Sequence, residues 1–283
     1  MKVLDKLLIV LFNICLIIVA IWISAVPIAK SKSYYQKQFT KNEIYAHYED
    51  DELVQTKFYY IGGTIYNTTY FTDEQLDTII EHIIDYLFKG KDTFELKMDN
   101  VKINGKYRDN VNVFGEVAVT HMKDVKVLFT VYRIIAAIAL AGMIAMIFYF
   151  IKRIKYVKKS LLSVTLIFYG TIFLLIGIFL LVVFIHMKQD GVPLQMDWFL
   201  DTLWRDIHYL LFMFQPEKVE GSFFNDILTE VLTLDLFITA VVIVVITLVL
   251  MLALWFVTTI LARKYGEKLS NKIFKQKIEQ VGD

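Results

Sequence analysis

Two histidines carry the chemistry that this sequence suggests. His121 opens the run His121-Met122-Lys123-Asp124-Val125-Lys126, directly ahead of a long apolar stretch, and His208 sits in an aromatic-rich segment much further on. Unperturbed imidazole titrates near pH 6.5, so a converging pair can act as general base and general acid at physiological pH. Asp124 follows His121 by three residues, a spacing that lets it face the ring on a helix and fix the tautomer. His121, Asp124 and His208 could instead ligate a metal, although no cysteine or further histidine motif joins them. Two unrelated histidines at a membrane surface would show the same spacing. The other histidines read differently. His47 lies in an acidic, solvated stretch, His82 falls on the polar face of a helix, and His186 ends an apolar run as an interface anchor. The sequence contains no His-Glu-x-x-His, no Gly-x-Ser-x-Gly and no phosphate-cradling glycine loop. Cys15, the single cysteine, precludes an intramolecular disulfide and lies too deep in an apolar run to act as an outer-surface nucleophile.

What must position these groups is a membrane. With 57% hydrophobic residues and a mean hydropathy of +0.52, the 283-residue chain is too apolar for a soluble domain. Four apolar runs, at 7–29, 127–151, 161–185 and 236–262, reach the length of about 20 residues that a spanning helix needs. A cleaved signal peptide is the competing reading of the first run. Its apolar core is long for a signal, Pro27-Ile28 makes a poor cleavage site, and Ile14 before Cys15 spoils a lipobox. Lysine and arginine then orient the chain. The second-to-third connection, Lys152-Arg153-Ile154-Lys155-Tyr156-Val157-Lys158-Lys159, is basic, as are Lys2 and Lys6 and the tail carrying Arg263, Lys264, Lys268, Lys272, Lys275 and Lys277. The third-to-fourth connection is acidic. Both termini are therefore expected in the cytoplasm, with both substantial soluble segments outside. No block of like charge suggests a nucleic-acid partner.

Within segment 30–126, Leu76, Ile79, Ile80, Ile83, Ile84 and Leu87 recur on one face of a helix over Asp73–Phe88, with Thr72 and Gln75 as a capping box and Gly90 as the stop. Strands are expected at 57–61, 94–98 and 101–103, with Asn104-Gly105 as a hairpin turn. Segment 187–235 contains an apolar stretch at 194–214 interrupted by charges, which reads as a helix lying at the outer interface with Trp198 and Trp204 near headgroup depth. The expected fold is a mainly α membrane protein: a four-transmembrane-helix bundle with a small α+β extracytoplasmic cap and an interfacial helix. Its parts are the N-terminal end and first span (1–29), the cap (30–126), the second and third spans (127–186), the outer loop (187–235), and the fourth span with its basic tail (236–283).

At these residues the chain resembles the bacterial lipoprotein intramolecular transacylases, the Lit family. Those proteins share the four spans, the cap after the first span, and a His-(Met/Leu)-x-Asp-Val-Lys motif before the second, which is His121 to Lys126 here. Tyr86-Leu87 followed by Gly90 matches the family's cap helix, and His208 with Phe212 matches its second histidine. Ile207 and Leu211 stand where the family tends to carry phenylalanines. The resemblance implies transfer of the sn-2 acyl chain of a diacylglyceryl-cysteine lipoprotein to that cysteine's own α-amino group, giving the lyso form. Such chemistry needs no cofactor and no nucleophile from the enzyme. It implies His121, His208 and Asp124 as catalytic residues, with Lys126, Arg133, Trp204 and Phe212 as candidate substrate contacts. Diacylated lipoproteins and membrane lipids are the implied partners, at the outer leaflet of a bacterial plasma membrane. A metal-dependent membrane hydrolase and a non-enzymatic outer-face sensor are the rival readings of the same residues.

The orientation predicts that cysteines introduced at Asn67 or Gly221 react with an impermeant thiol reagent applied to sealed cells, whereas one at Ser160 does not. Labelling of Ser160→Cys from outside would overturn it.

Overall fold

The computed structural model describes residues 3–49, 51–189 and 226–279. Four of its helices are long and apolar enough to cross a membrane: α1 (Val3–Ala29), α4 (Glu116–Lys152), α5 (Ile154–Gln189) and α7 (Leu234–Glu279). Between them lie α2 (Lys32–Lys41), α3 (Asp73–Phe88), the short α6 (Ile227–Val231) and eight short strands. The apolar stretch at 194–214, with His208, Trp198, Trp204 and Phe212, lies outside the described residues.

The chain divides into two compact units, and the first holds residues 1–24, 132–194 and 242–283. Its core gathers Ile9, Phe12, Leu16 and Val19 of α1 with Ala139, Met143, Met146 and Phe150 of α4 and Val157 and Leu161 of α5. Phe12 lies against the Trp255 ring of α7, with centroids 4.3 Å apart. Two polar ties hold these helices in register. Asn13, fully buried, accepts from the Trp255 indole N–H at 2.9 Å and reaches the Thr165 hydroxyl at 3.3 Å, joining α1, α5 and α7. Asp5, also fully buried, accepts from the Tyr149 hydroxyl at 2.7 Å and pairs with Arg153 at 3.4 Å. Between spanning helices the apolar side chains gain little by leaving lipid, so close packing and such hydrogen bonds hold them together. Gly266 permits one close approach, since a Cβ there would fall 2.5 Å from Ile154 Cγ1. The remaining faces stay apolar and exposed, with Phe173, Leu174, Leu250 and Leu254 among them, the distribution of a membrane protein.

The second unit, residues 25–131 and 195–241, is an α/β assembly. Strands β3 (Phe58–Ile61), β4 (Thr64–Tyr70), β6 (Val101–Ile103) and β7 (Lys106–Arg108) form an antiparallel sheet in that order. Two-stranded ladders join β1 (His47–Glu49) to β2 (Glu52–Val54), and β5 (Lys97–Met98) to β8 (Val111–Asn112). Helix α3 has the expected bounds, and its capping box is formed in both directions by Thr72 and Gln75. Leu76, Ile79, Ile80 and Ile83 bury its apolar face in one cluster with Phe58, Ile61, Val101 and Ile103. Each fully buried side chain of this size contributes about 1.5–3 kcal/mol of transfer free energy. Asn104 and Gly105 turn β6 into β7 with φ of 49° and 78°, the left-handed pair that a tight hairpin requires. The strand expected at 94–98 shortens to Lys97–Met98, because the Phe94 carbonyl bonds a side chain instead of a ladder. Helix α2 packs on α3 and ties to the start of α7: the Tyr34 hydroxyl donates to the Leu236 carbonyl at 2.5 Å, and Lys41 pairs with Asp235 at 2.7 Å. Burial, with the Asp235 charge adding to it, pushes the Tyr34 phenol up to about 12.

The start of α4 is pinned from two sides. Asp226 is buried, caps α6 through Leu228 N at 2.9 Å, and accepts from Gly115 N at 2.7 Å. Burial raises the Asp226 pKa above the usual carboxylate value, while those two backbone donors pull it back. Gly115 also lies against the β3–β4 turn, where a Cβ would fall 2.7 Å from Gly63 N and 2.8 Å from Gly63 Cα. Gly115→Ala should therefore force these backbones apart and destabilise the α/β unit by about 1–3 kcal/mol, the usual cost of overpacking. Thermal unfolding in detergent micelles is the check, and an unchanged midpoint would contradict the close approach.

Candidate active site

Helix α4 begins at Glu116, so the histidine motif is helical and continuous with the apolar run that follows. Residues 116–126, which the sequence assigns to the soluble segment, are thus the first turns of the helix. Ala118 and Met122 turn into the α/β core, and Val119 and Val125 pack against its edge. That burial decides the directions of the others. His121 and Asp124 fall with Val117 and Leu128 at spacings of four, three and four, on one side of α4. Both are half-buried, while Val117 and Leu128 are exposed.

Lys126 reaches the second segment that carries the family resemblance. The Lys126 ammonium lies 4.3 Å from the Tyr86 ring centroid and donates to the Lys91 carbonyl at 2.5 Å. A cation over an aromatic face is attracted by the ring quadrupole, by about 0.5–1 kcal/mol or more when shielded from water. Burial raises the Tyr86 phenol above its ordinary pKa, and the charge of Asp124 adds to that. Tyr86 and Lys126 thus meet across 40 residues of sequence (126 − 86), and Asp124 acts on the Tyr86 phenol through its charge.

His82 departs from its reading as a surface residue. It is only 3% exposed, packed against the rings of Phe94 and Phe114 at 5.3 and 5.9 Å, which are themselves stacked 4.3 Å apart. The buried arc of α3 is wider than its aliphatic stripe, because these two phenylalanines cover the flank holding His82 and Tyr86. Lys91 Nζ lies 2.8 Å from His82 Nδ1, and His82 Nε2 lies 3.0 Å from the Phe94 carbonyl oxygen. An ammonium can only donate and a carbonyl can only accept, so the ring is neutral with its proton on Nε2. Burial lowers the His82 pKa; the Phe94 carbonyl opposes that shift and the Lys91 charge adds to it. Sequence reasoning missed this residue, because a polar residue at a helix flank reads as solvated. Its one signal was the position between Ile79 and Ile83.

A groove of about 630 Å³ opens along this region. Tyr86, Asp92, Thr93, Phe94 and Glu95 line one wall, and Val119, Thr120, Lys123, Lys126, Val127, Thr130 and Val131 of α4 line the other. Lys126 belongs to it, whereas His121 and Asp124 lie on a different face of α4. Arg133 is exposed on α4 within the membrane-helix unit. The structure therefore brings Lys126 to Tyr86, whereas Arg133 belongs to the other compact unit. His208, Trp204 and Phe212 lie beyond the described residues.

A family model described as lipoprotein intramolecular transacylase Lit matches residues 8–189. No curated protein and no solved structure matches the chain. The matched stretch takes in α1 from residue 8 on, all of the α/β unit up to α4, and both α4 and α5, with the motif at His121 to Lys126 inside it. At 182 residues (189 − 8 + 1) of 283 it is well over half of the chain. It selects acyl transfer over the hydrolase and sensor readings. The chain belongs to the lipoprotein intramolecular transacylase family, membrane acyltransferases of lipoprotein maturation.

Proposed function

We propose that the protein moves the sn-2 acyl chain of a diacylglyceryl-cysteine lipoprotein to the α-amino group of the same cysteine, with His121 and His208 transferring the protons. The observation that carries this reading is the family match over a stretch containing the His121 motif, on a helix that runs unbroken into an apolar span. In this reading the free amine attacks the ester carbonyl, an N–C bond forms, and the C–O bond to the glyceryl oxygen breaks. One imidazole takes the proton from the amine, and the other gives a proton to the departing alkoxide. An α-amine has a pKa of about 7.7–8.0, within reach of an imidazole base. Amine and ester belong to one molecule, and that proximity lowers the barrier by as much as about 7–11 kcal/mol in well-oriented cases. Asp124 orients His121. Lys126 acts from the groove, and Arg133, Trp204 and Phe212 complete the contacts to substrate.

The same reading sets the protein in the bacterial plasma membrane as a multi-pass protein with both termini cytoplasmic. The α/β unit is then an extracytoplasmic cap, the 194–214 stretch an interfacial helix, and the site lies at the outer leaflet. His121 precedes Val127 by six residues, about 9 Å along the helix axis, which suits a group at headgroup depth. Its partners are diacylated lipoproteins and membrane lipids, with no role for nucleic acid.

His121→Gln and His208→Gln should each lower turnover by about 10²–10⁴-fold. Because the two act as a unit, the double variant should be little worse than the worse single one. His186→Ala should keep most activity. The readout is the ratio of lyso to diacyl product by mass spectrometry, normalised to protein in the membrane. Near-normal turnover by well-expressed His208→Gln would reduce the candidate centre to His121 and Asp124.

A further inference from the structure

Where the apolar runs of α4, α5 and α7 stop, contacts within the membrane-helix unit hold two basic segments against each other. Ser270 Oγ of α7 donates to the Ile151 carbonyl at 3.0 Å, in the last turn of α4 where helical partners run out. Lys158 of α5 pairs with Glu267 of α7 at 2.8 Å, and Gly266 lets α7 close on Ile154. Ile154, Val157 and Leu161 turn into the core, so Lys155 and Lys159 fall on the outer side of α5. Lys152, Lys155 and Lys159 of the α4–α5 turn thus join Arg263, Lys264 and Lys268 of α7 on one surface, and all six are exposed.

Acidic residues leave that charge standing. Residues 1–13, 145–165 and 255–275 contain two acids, Asp5 and Glu267. Asp5 is fully buried and pairs with Arg153, and Glu267 pairs with Lys158, so each neutralises a cation outside the six. The depth of the surface follows from the chain. Lys152 directly follows the apolar run of α4, and Arg263 that of α7. From Arg263 to Lys268 the helix rises about 7 Å, close to the thickness of one headgroup layer. Tyr156 and Tyr265, exposed beside these cations, are of the type enriched at that depth. A zwitterionic headgroup brings its own ammonium to its phosphate, whereas an anionic one needs cations from elsewhere. We propose that this surface holds anionic phospholipid headgroups, with the α4–α5 turn and the end of α7 contributing together. The proposal rests on α4, α5 and α7 crossing a membrane. It is independent of the direction in which they cross and of acyl transfer.

The test uses full-length protein in phosphatidylcholine vesicles with a trace of spin-labelled phosphatidylglycerol or phosphatidylcholine. Electron paramagnetic resonance separates lipid held at the protein surface from bulk lipid and gives the ratio of their association constants. Wild type should prefer phosphatidylglycerol about fivefold at about 0.05 M salt, the factor one surface cation supplies, and lose most of that at about 0.5 M. Glutamine at all six positions should bring the ratio near unity. Glutamine at Lys152, Lys155 and Lys159, or at Arg263, Lys264 and Lys268, should each lower it part of the way. Glutamine at Lys97, Lys106 and Arg108, exposed in the α/β unit, should leave it unchanged. A wild-type ratio near unity, full preference in the sixfold variant, or a triple variant without effect would overturn the proposal. So would loss of the preference on adding inorganic phosphate at constant ionic strength, since a soluble anion would then take the site. The salt comparison uses unaltered protein and decides the matter even if the sixfold variant does not fold. Lyso product from the same vesicles reads acyl transfer separately; its absence with lipid preference intact contradicts the proposed function alone.

Discussion

Much of this protein depends on α4 being one uninterrupted helix from Glu116 to Lys152. A helix entering a bilayer must satisfy its backbone within itself, because lipid supplies no partners. Starting the helix before the apolar run gives the motif residues that same ladder of main-chain bonds. His121, Asp124 and Lys126 are then fixed in rotation relative to one another and to Val127. Their directions follow from which face is buried, and Ala118 and Met122 decide that. The N-terminal end is held by Asp226 on Gly115 and by the absence of a side chain at Gly115 beside Gly63. A site built on such an element keeps its geometry better than one built on a loop.

Around that helix the polar groups divide into two kinds. In the membrane-helix unit, Asn13 and Asp5 are buried and joined to residues of other helices, where they fix register. In the α/β unit, His82, Lys91 and Lys126 form a chain of donors and acceptors from α3 to α4. His82 is the buried member of that chain, and leaving its ring unsatisfied costs about 1–3 kcal/mol. The chemistry assigned to the family asks little of the protein beyond position. In the proposed reading the substrate brings its own nucleophile and its own leaving group, so the protein would need only proton carriers, orientation and a dry surface.

How much of this the sequence made legible varies by element, for physical reasons. Helix α3 was readable because its signals agree: six aliphatic residues at helical spacing, Thr72 and Gln75 at one end, Gly90 at the other. The four long apolar helices were readable because nothing else explains such runs. The Asn104-Gly105 turn was readable because few residue pairs tolerate two positive φ values. The burial of His82 was not, since it depends on Phe94 and Phe114 arriving from segments 12 and 32 residues away (94 − 82 and 114 − 82). The early start of α4 escaped because Glu116, Lys123, Asp124 and Lys126 make its first turns look soluble, and they are so on the faces turned away from the core. The His121 motif was legible through the family resemblance, whereas the groove beside it arises only from tertiary packing.

The central claim is that this chain converts diacyl lipoproteins to the lyso form by transferring an acyl group within one molecule. Its most direct test is mass spectrometry of the N-terminal lipopeptides of lipoproteins from cells making the protein and from otherwise identical cells lacking it. The account predicts that the protein's presence shifts one acyl chain from glyceryl ester to amide with no change in total mass. Fragmentation should place that chain on the cysteine nitrogen. N-termini that stay in the diacyl form with a free amine in both strains, at normal protein abundance, would contradict it.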